Sequence, residues 1–359
     1  MADYAANVTG RRAAAPSAVQ GMELGIYTFG DMTADPHTGR QRSVAARYAE
    51  VVATARLAED AGLDVFGVGE HHRLDIPISS PAVVMAAVAA ATKRIRLTSA
   101  VTVLSTLDPV RVFQDFATLD LLSGGRAEII AGRGAYIESF PLFGDDLADY
   151  DALFAEKLEL LCKLRDTERV TWQGRFRPPL RDAEISPRPS GMLPIWLGVG
   201  GNPESALRAG DFGLPLVLAN ISQPPANFAV QIAAYRQRHA EKGHSAARVA
   251  VATHTYVAED SQAALEEFYP YYRAYFLGHA PRPNLVREVP REVYEQRAGP
   301  TGPIFVGSPQ QIVDKLMYER ELFGHDRFLA QVDIGGLPFA KAARSIELLA
   351  RDVCPAVRR

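Results

Sequence analysis

Cysteine is nearly absent: Cys162 and Cys354 are the only two in 359 residues. Two thiols cannot build a disulfide framework or a cysteine-rich zinc site, and such sparing use fits a reducing, cytoplasmic setting. Charge of one sign is lacking too. With 39 basic and 42 acidic side chains the formal net charge is −3, which gives no broad electrostatic footprint for nucleic acid. Long apolar runs are missing: the most apolar stretch, residues 81–92, is too short and too rich in alanine to cross a bilayer. Residues 1–21 carry Arg11 and Arg12 but no signal-peptide-like apolar run after them. Small residues and proline dominate there, so this segment reads as a disordered leader outside the fold.

Several catalytic signatures are absent as well. Neither a G-x-x-x-x-G-K-[ST] phosphate loop nor a G-x-S-x-G nucleophile elbow occurs. Gly67-Val68-Gly69, Gly132-Arg133-Gly134 and Gly198-Val199-Gly200 each begin a dinucleotide fingerprint, and each lacks its third glycine. They also follow the second, fourth and fifth predicted strands, where the fingerprint belongs after the first. NTPases, elbow hydrolases and Rossmann dehydrogenases lose ground together.

What is present is an ordinary soluble composition, 47% hydrophobic and 23% charged, with a regular alternation of elements. Residues 24–29, 64–69, 95–103, 127–131, 195–199, 215–219, 248–257 and 327–334 read as strands, and each is followed by helical periodicity. Length alone allows two domains. Eight strand–helix units with right-handed crossovers instead predict one α/β domain over residues 22–359, a (β/α)8 TIM barrel, with a doubly wound open sheet as the rival. Two irregular stretches interrupt it. Residues 167–193 are proline-rich and read as an insertion with room for a small hairpin. Residues 278–303 read as a candidate lid, or else as a solvated excursion. Ser80-Pro81, Asp108-Pro109, Asn202-Pro203 and Ser308-Pro309 place a capping side chain before proline at a helix start.

Chemistry in such a barrel gathers at the carboxyl ends of the strands. The second strand ends in Glu70-His71-His72, where imidazoles beside a carboxylate suit proton transfer. A metal site is disfavoured, because alternation puts only Glu70 and His72 on one face and the other histidines (His37, His239, His244, His254, His279, His325) lack ligand spacing. Arg133, between two glycines after the fourth strand, can offer a bidentate fork to an anion; pairing with Glu128 or Glu138 is the bland alternative. Gly198-Val199-Gly200-Gly201-Asn202-Pro203 after the fifth strand leads backbone N–H groups into a helix start, a natural phosphate cradle. Tyr27, Phe29, Tyr136, Phe140 and Trp196 are candidate lining residues, with Tyr27 and Tyr136 on the cofactor side.

Ser99-Ala100-Val101-Thr102-Val103-Leu104-Ser105-Thr106-Leu107-Asp108-Pro109-Val110-Arg111 and Leu119-Asp120-Leu121-Leu122-Ser123-Gly124-Gly125-Arg126 resemble the bacterial luciferase-like flavin-dependent monooxygenase family. So do Glu70-His71-His72, Gly132-Arg133-Gly134-Ala135-Tyr136, Phe143-Gly144, Pro194-Ile195-Trp196-Leu197-Gly198 and Gly335-Gly336-Leu337-Pro338, and the likeness runs over residues 23–357. The resemblance implies a (β/α)8 barrel using FMN, reduced by a separate NAD(P)H:flavin reductase, with O2 to oxidise a small organic substrate. It further implies that His71 lies near the reactive region of the flavin. Arg133 would hold the phosphate, with Gly198, Val199, Gly200 and Gly201 in a second phosphate loop. A non-prolyl cis peptide would fall at Ala100–Val101. An F420-dependent dehydrogenase of the same superfamily and a non-catalytic flavin-binding protein are the alternatives. The residues 135–140 resemble the non-luminescent branch, most of whose members are homodimers, so light emission is not expected.

Overall fold

The structure is a computed structural model that describes residues 21–279 and 288–358. The leader assigned to residues 1–21 lies outside the described residues except for Gly21, as do residues 280–287 of the candidate lid. Among the described residues twelve strands are formed: β1 (Glu23–Thr28), β2 (Val65–Val68), β3 (Arg96–Ser99), β4 (Thr102–Val103), β5 (Ala127–Gly132), β6 (Arg169–Trp172), β7 (Leu180–Glu184), β8 (Ile195–Val199), β9 (Leu216–Ala219), β10 (Val249–Val257), β11 (Phe305–Gly307) and β12 (Arg327–Gln331). Parallel pairing runs β12-β1-β2-β3-β5-β8-β9-β10, and β10 pairs with β12 to close the ring. β4 pairs with β5 beside β3, so the two pieces form one stave and the barrel has the eight expected from the sequence.

The helix starts follow the local chemistry. Asp108 accepts from the N–H of Val110 (2.8 Å) and of Arg111 (3.3 Å), and Asn202 accepts from Glu204 N–H at 2.8 Å. Ser308 N–H donates to Gln311 Oε1 at 3.4 Å. Ser80 makes no side-chain cap, so proline alone marks that start.

Two expectations are met, the cis peptide at Ala100–Val101 and a hairpin in 167–193, and three details differ: the break in the third strand, a helix within 278–303 and the added strand β11. The third strand is broken at Ala100–Val101, whose peptide bond is cis. The insertion 167–193 contains the antiparallel β6–β7 hairpin. The stretch 278–303 is not irregular throughout, because Arg291–Ala298 is helical between Pro290 and Gly299. β11 then extends the sheet beside the upper half of β10.

Two apolar layers hold the barrel. Outward-facing residues such as Leu24, Phe66, Leu97, Ile129, Leu197 and Leu218 pack against the surrounding helices. Inward-facing ones fill the interior, with Trp196 toward the floor and Val65, Ile130, Val217 and Leu329 among the others. Helix Ser261–Gly278 follows β10 and packs Tyr272, Tyr275 and Phe276 on the ring of the β10 residue His254, and His279 just beyond it reaches Asp31 and Asp75 in the segments after β1 and β2. Among the described residues no helix is long and apolar enough to cross a membrane.

Candidate active site

Strand alternation gives the interior a gradient in side-chain size. Successive inward positions read Glu128, Ile130, Gly132 on β5 and Trp196, Gly198, Gly200 along and just beyond β8; β2 gives Val65, Gly67, then Gly69 beyond its end. Charge lies at the amino-terminal floor, bulk in the middle, and almost nothing at the carboxyl-terminal mouth. The glycines make room for the Ala100–Val101 segment. A Cβ on Gly198 would lie 2.9 Å from Val101 Cγ1, one on Gly67 would lie 3.2 Å from Ala100 Cβ, and one on Gly132 would collide with the Val101 side chain. The G-x-G pairs thus have a packing reason that owes nothing to dinucleotides. Gly200 differs, because a Cβ there would meet nothing within 4 Å.

Glu70, His71 and His72 leave β2 at this mouth, and the two histidines are used differently. His72 Nε2 lies 2.9 Å from Glu70 Oε1, while Glu70 Oε2 accepts from Val103 N–H at 2.9 Å. Glu70 therefore ties β2 to β4, and His72 is locked to it. His71 is held edge-on between two aromatic rings, Phe29 at 5.0 Å and Tyr136 at 4.9 Å between centroids. Its Nδ1 lies 3.2 Å from Glu138 Oε1. Burial alone would raise the Glu138 carboxyl, but the His71 hydrogen bond, the charge attraction of His71 and nearby backbone N–H groups together outweigh it and hold it below the usual carboxylate range. Among the described residues His71 Nε2 has no hydrogen-bond partner.

Arg133 follows β5. Its guanidinium lies 5.1 Å over the Tyr150 ring and 2.5 Å from Asp151 Oδ1, so its acid is neither Glu128, which sits at the floor, nor Glu138. Tyr150 is anchored in turn by donating to Gly134 O at 2.7 Å. On the adjoining stave β8 the chain turns through Gly200 and Gly201 (φ +96°) into helix Pro203–Asp211.

The remaining sequence candidates divide. Tyr27, Ala100, Val101 and Gly198 face the barrel interior below the mouth, and Tyr136 stands at its rim. Val199 turns its side chain into the outer core, so only its backbone can face the mouth. Trp196 is not a mouth residue. As the second residue of β8 it lies near the floor, sandwiched between Arg327 (4.4 Å) and Arg248 (4.9 Å). Phe140 is buried against Tyr150 and does not line the opening.

Sequence reading missed a polar network at the rim. His279 Nδ1 lies 2.8 Å from Asp75 Oδ2, and its Nε2 lies 3.0 Å from Thr33 Oγ1 and 3.6 Å from Asp31 Oδ1. Tyr136 donates to His279 O at 2.9 Å. Burial opposes a charge on His279, yet the hydrogen bonds to Asp31 and Asp75 win and raise its pKa above the ordinary histidine value. His254 is the opposite case, pushed down to about 3 chiefly by burial. Its inward orientation was readable from strand alternation; nothing local marks His279, which lies 204 residues from Asp75 and 248 from Asp31 in sequence. Among the described residues no group of three or more His, Cys, Asp or Glu could hold a metal ion.

Fold and mouth define the class: a (β/α)8 barrel with a histidine, an arginine and an open glycine turn gathered at its carboxyl-terminal end. The chain belongs to the luciferase-like monooxygenase family, whose profile matches residues 22–326. The oxygenase component of flavin-dependent trigonelline monooxygenase from Acinetobacter baylyi is 23% identical over 93% of this chain and 95% of that protein. The chain spans about half the length of several other curated relatives. One is the F420-dependent glucose-6-phosphate dehydrogenase of Amycolatopsis mediterranei, 32% identical over 45% of this chain and 51% of that one. The fold matches the crystal structure of monooxygenase RslO1 from Streptomyces bottropensis, with TM-score 0.80 and 23% identity over 93% of this chain and 99% of that chain.

Proposed function

We propose that this chain is a flavin-dependent monooxygenase that takes reduced FMN from a separate NAD(P)H:flavin reductase and, with O2, oxidises a small organic substrate. The observation that carries the reading is the joint placement of an anion-holding corner and a proton-handling residue. Arg133 and the Gly200–Gly201 turn follow the neighbouring staves β5 and β8, and His71 follows β2, two staves from β5 and three from β8 in the order β2-β3-β5-β8.

A phosphate-bearing flavin fits this corner. The space beside Gly200 would be narrowed by any side chain, the turn enters a helix N-terminus, and Arg133 supplies a guanidinium fork. When bound, the flavin supplies the redox chemistry with O2. The chain does the rest. Arg133, whose partner Asp151 is exposed, would hold the phosphate, and Gly132 and Gly198 keep room for the Val101 side chain at the mouth. His71 Nε2, alone without a partner on its ring, accepts or returns a proton at the reacting centre. Helix Ser261–Gly278 covers the β10 residue His254 and shields it from water. Support comes also from the relative that aligns along nearly its whole length, which is the oxygenase component of a flavin-dependent system.

The F420-dependent relative in the same family keeps a second reading open, an F420-dependent dehydrogenase. Titration of the protein with FMN, reduced FMN and F420 separates the two. Binding of reduced FMN, weakened roughly 10- to 100-fold by Arg133→Ala through the loss of charge-assisted hydrogen bonds, is the expected result. Selective binding of F420 would move the protein to the dehydrogenase class, and binding of none would remove both readings. Oxygen uptake with reduced FMN against a panel of aldehydes, sulfonates and aromatic heterocycles then identifies the substrate.

A further inference from the structure

Glu138 lies 67 residues from His71 in sequence and touches it in space. It stands at the N-cap of the short helix Ser139–Phe143 but makes no capping hydrogen bond to that helix. The local task open to an acid in that place is left undone. Its carboxylate turns instead to the β2 loop, where it meets His71 Nδ1, and the nearby backbone N–H groups of Glu138 and His72 favour its charge. Those donors keep it ionised. Arg73, two residues on from His71, is held by Asp75 through Nε (2.8 Å) and Nη2 (2.7 Å).

We propose that Glu138 is a positioning residue for His71: by accepting Nδ1–H it fixes the tautomer whose Nε2 lone pair faces the mouth. Phe29 and Tyr136, both nearly perpendicular to the imidazole (81° and 88°), keep the ring from turning. With Nδ1–H committed to a carboxylate, only Nε2 can take a proton. In the forward step Nε2 binds the proton released by the reacting group, and the positive charge formed on the ring lies against the Glu138 carboxylate, which stays ionised. The proton leaves again from Nε2 to product or water. His72 shows the contrast: its Nε2 is consumed by the buried Glu70, so the adjacent imidazole has no such freedom. The proton-transfer role rests on the function proposed above; the tautomer assignment does not.

The test is a ¹⁵N spectrum of histidine-labelled protein without cofactor, with the His71 signals assigned by their loss in His71→Asn. Wild-type protein is expected to show Nδ1–H and a bare Nε2, and Glu138→Asp to keep that pattern. Glu138→Ala should shift the ring toward Nε2–H, the form an unconstrained imidazole prefers. If Glu138→Ala does not fold, Glu138→Leu, similar in size and without an acceptor for Nδ1–H, should move the proton to Nε2 as well. An Nε2–H ring in the wild type, or unchanged spectra in the Ala or Leu variant, would overturn the proposal. Turnover in Glu138→Ala should fall about 10- to 100-fold, with reduced-FMN affinity within about twofold of wild type. A protein that binds no flavin would sink the functional reading while leaving the tautomer result to decide the role of Glu138.

Discussion

The two ends of this barrel are built from the same eight staves and solve opposite problems. At the floor, Arg327 is fully buried and bonds Glu128 through Nη1 (2.6 Å) and Nη2 (3.3 Å) and Glu23 through Nε (2.9 Å). Arg96 lies 3.1 Å from Glu128, and Arg248 lies 2.8 Å from Glu23. Each carboxylate has at least two guanidinium partners, and Trp196 fills the space between two of the arginines. At the mouth the inward positions of β2, β5 and β8 shrink to glycine, while on β10 and β12 His254 Nδ1 and Gln331 Oε1 are buried without a hydrogen bond. The floor has spent its polar groups on one another. The mouth has kept some unspent, and an unmet buried polar atom costs about 1–3 kcal/mol. Stability and chemistry are therefore separated along the barrel axis, and each can be disturbed without the other.

The largest expected effect tests that separation directly. Arg327→Met leaves Glu23 and Glu128 buried with one central cation fewer, which should cost about 3–5 kcal/mol in urea unfolding. His71→Ala should move stability by only about 1 kcal/mol, through lost ring contacts. It should nevertheless lower turnover by roughly 10²- to 10⁴-fold. The contrast fails if Arg327→Met unfolds at the wild-type midpoint, or if His71→Ala is the less stable of the two.

The same separation explains what could be read in the sequence. The staves were legible as short apolar runs bounded by turn residues or charges, and four helix starts because a capping-type residue precedes proline. His71 and Arg133 were legible because each directly follows a strand, and fold class alone then fixes the end at which they lie. Partners were not. Asp151, Glu138 and His279 reach their contacts from loops or helix ends without periodicity, so no spacing reveals them. The Arg291–Ala298 helix was missed because Pro290 and Gly299 read as breakers where they act as its ends. Trp196 was placed at the wrong end although a signal existed, since the second residue of a stave belongs to the floor.

Two glycines sharpen the comparison within the mouth itself. Gly132→Ala places a methyl against Val101, and relieving such overpacking costs about 1–3 kcal/mol. Gly200→Ala meets no atom within 4 Å, and its backbone lies outside the left-handed region. Its thermal midpoint should match the wild type, while reduced-FMN affinity falls severalfold because the methyl occupies the phosphate cradle. If Gly200→Ala binds flavin as well as wild type does, that turn is not the phosphate site. Calorimetry and a fluorescence titration on the same two variants suffice.

The smallest expected effect is a difference in pH response between the ends. His279 has its pKa raised in the folded state, so its stabilising contribution is complete below the ordinary histidine value and is lost as pH rises through the folded value. Asp31 and Asp75 are lowered, although burial opposes this, because His279 and nearby arginines hold them ionised; their contribution exists above the ordinary carboxylate range and is lost in acid. The rim network is therefore tightest in a mildly acidic window between those limits. At the floor Glu23 is lowered and Arg327 raised, so that network survives any alkaline shift the rim can feel. Hydrogen exchange, corrected for the intrinsic rate, should show segments around Asp31, Asp75 and His279 losing protection from pH 6 to 9 while those around Glu23, Glu128 and Arg327 do not. His279→Gln should give the weakly protected rim at both pH values. Equal loss at the two ends, or an unaltered rim in His279→Gln, would mean that the rim is held by packing of helix Ser261–Gly278 and not by the charge on His279.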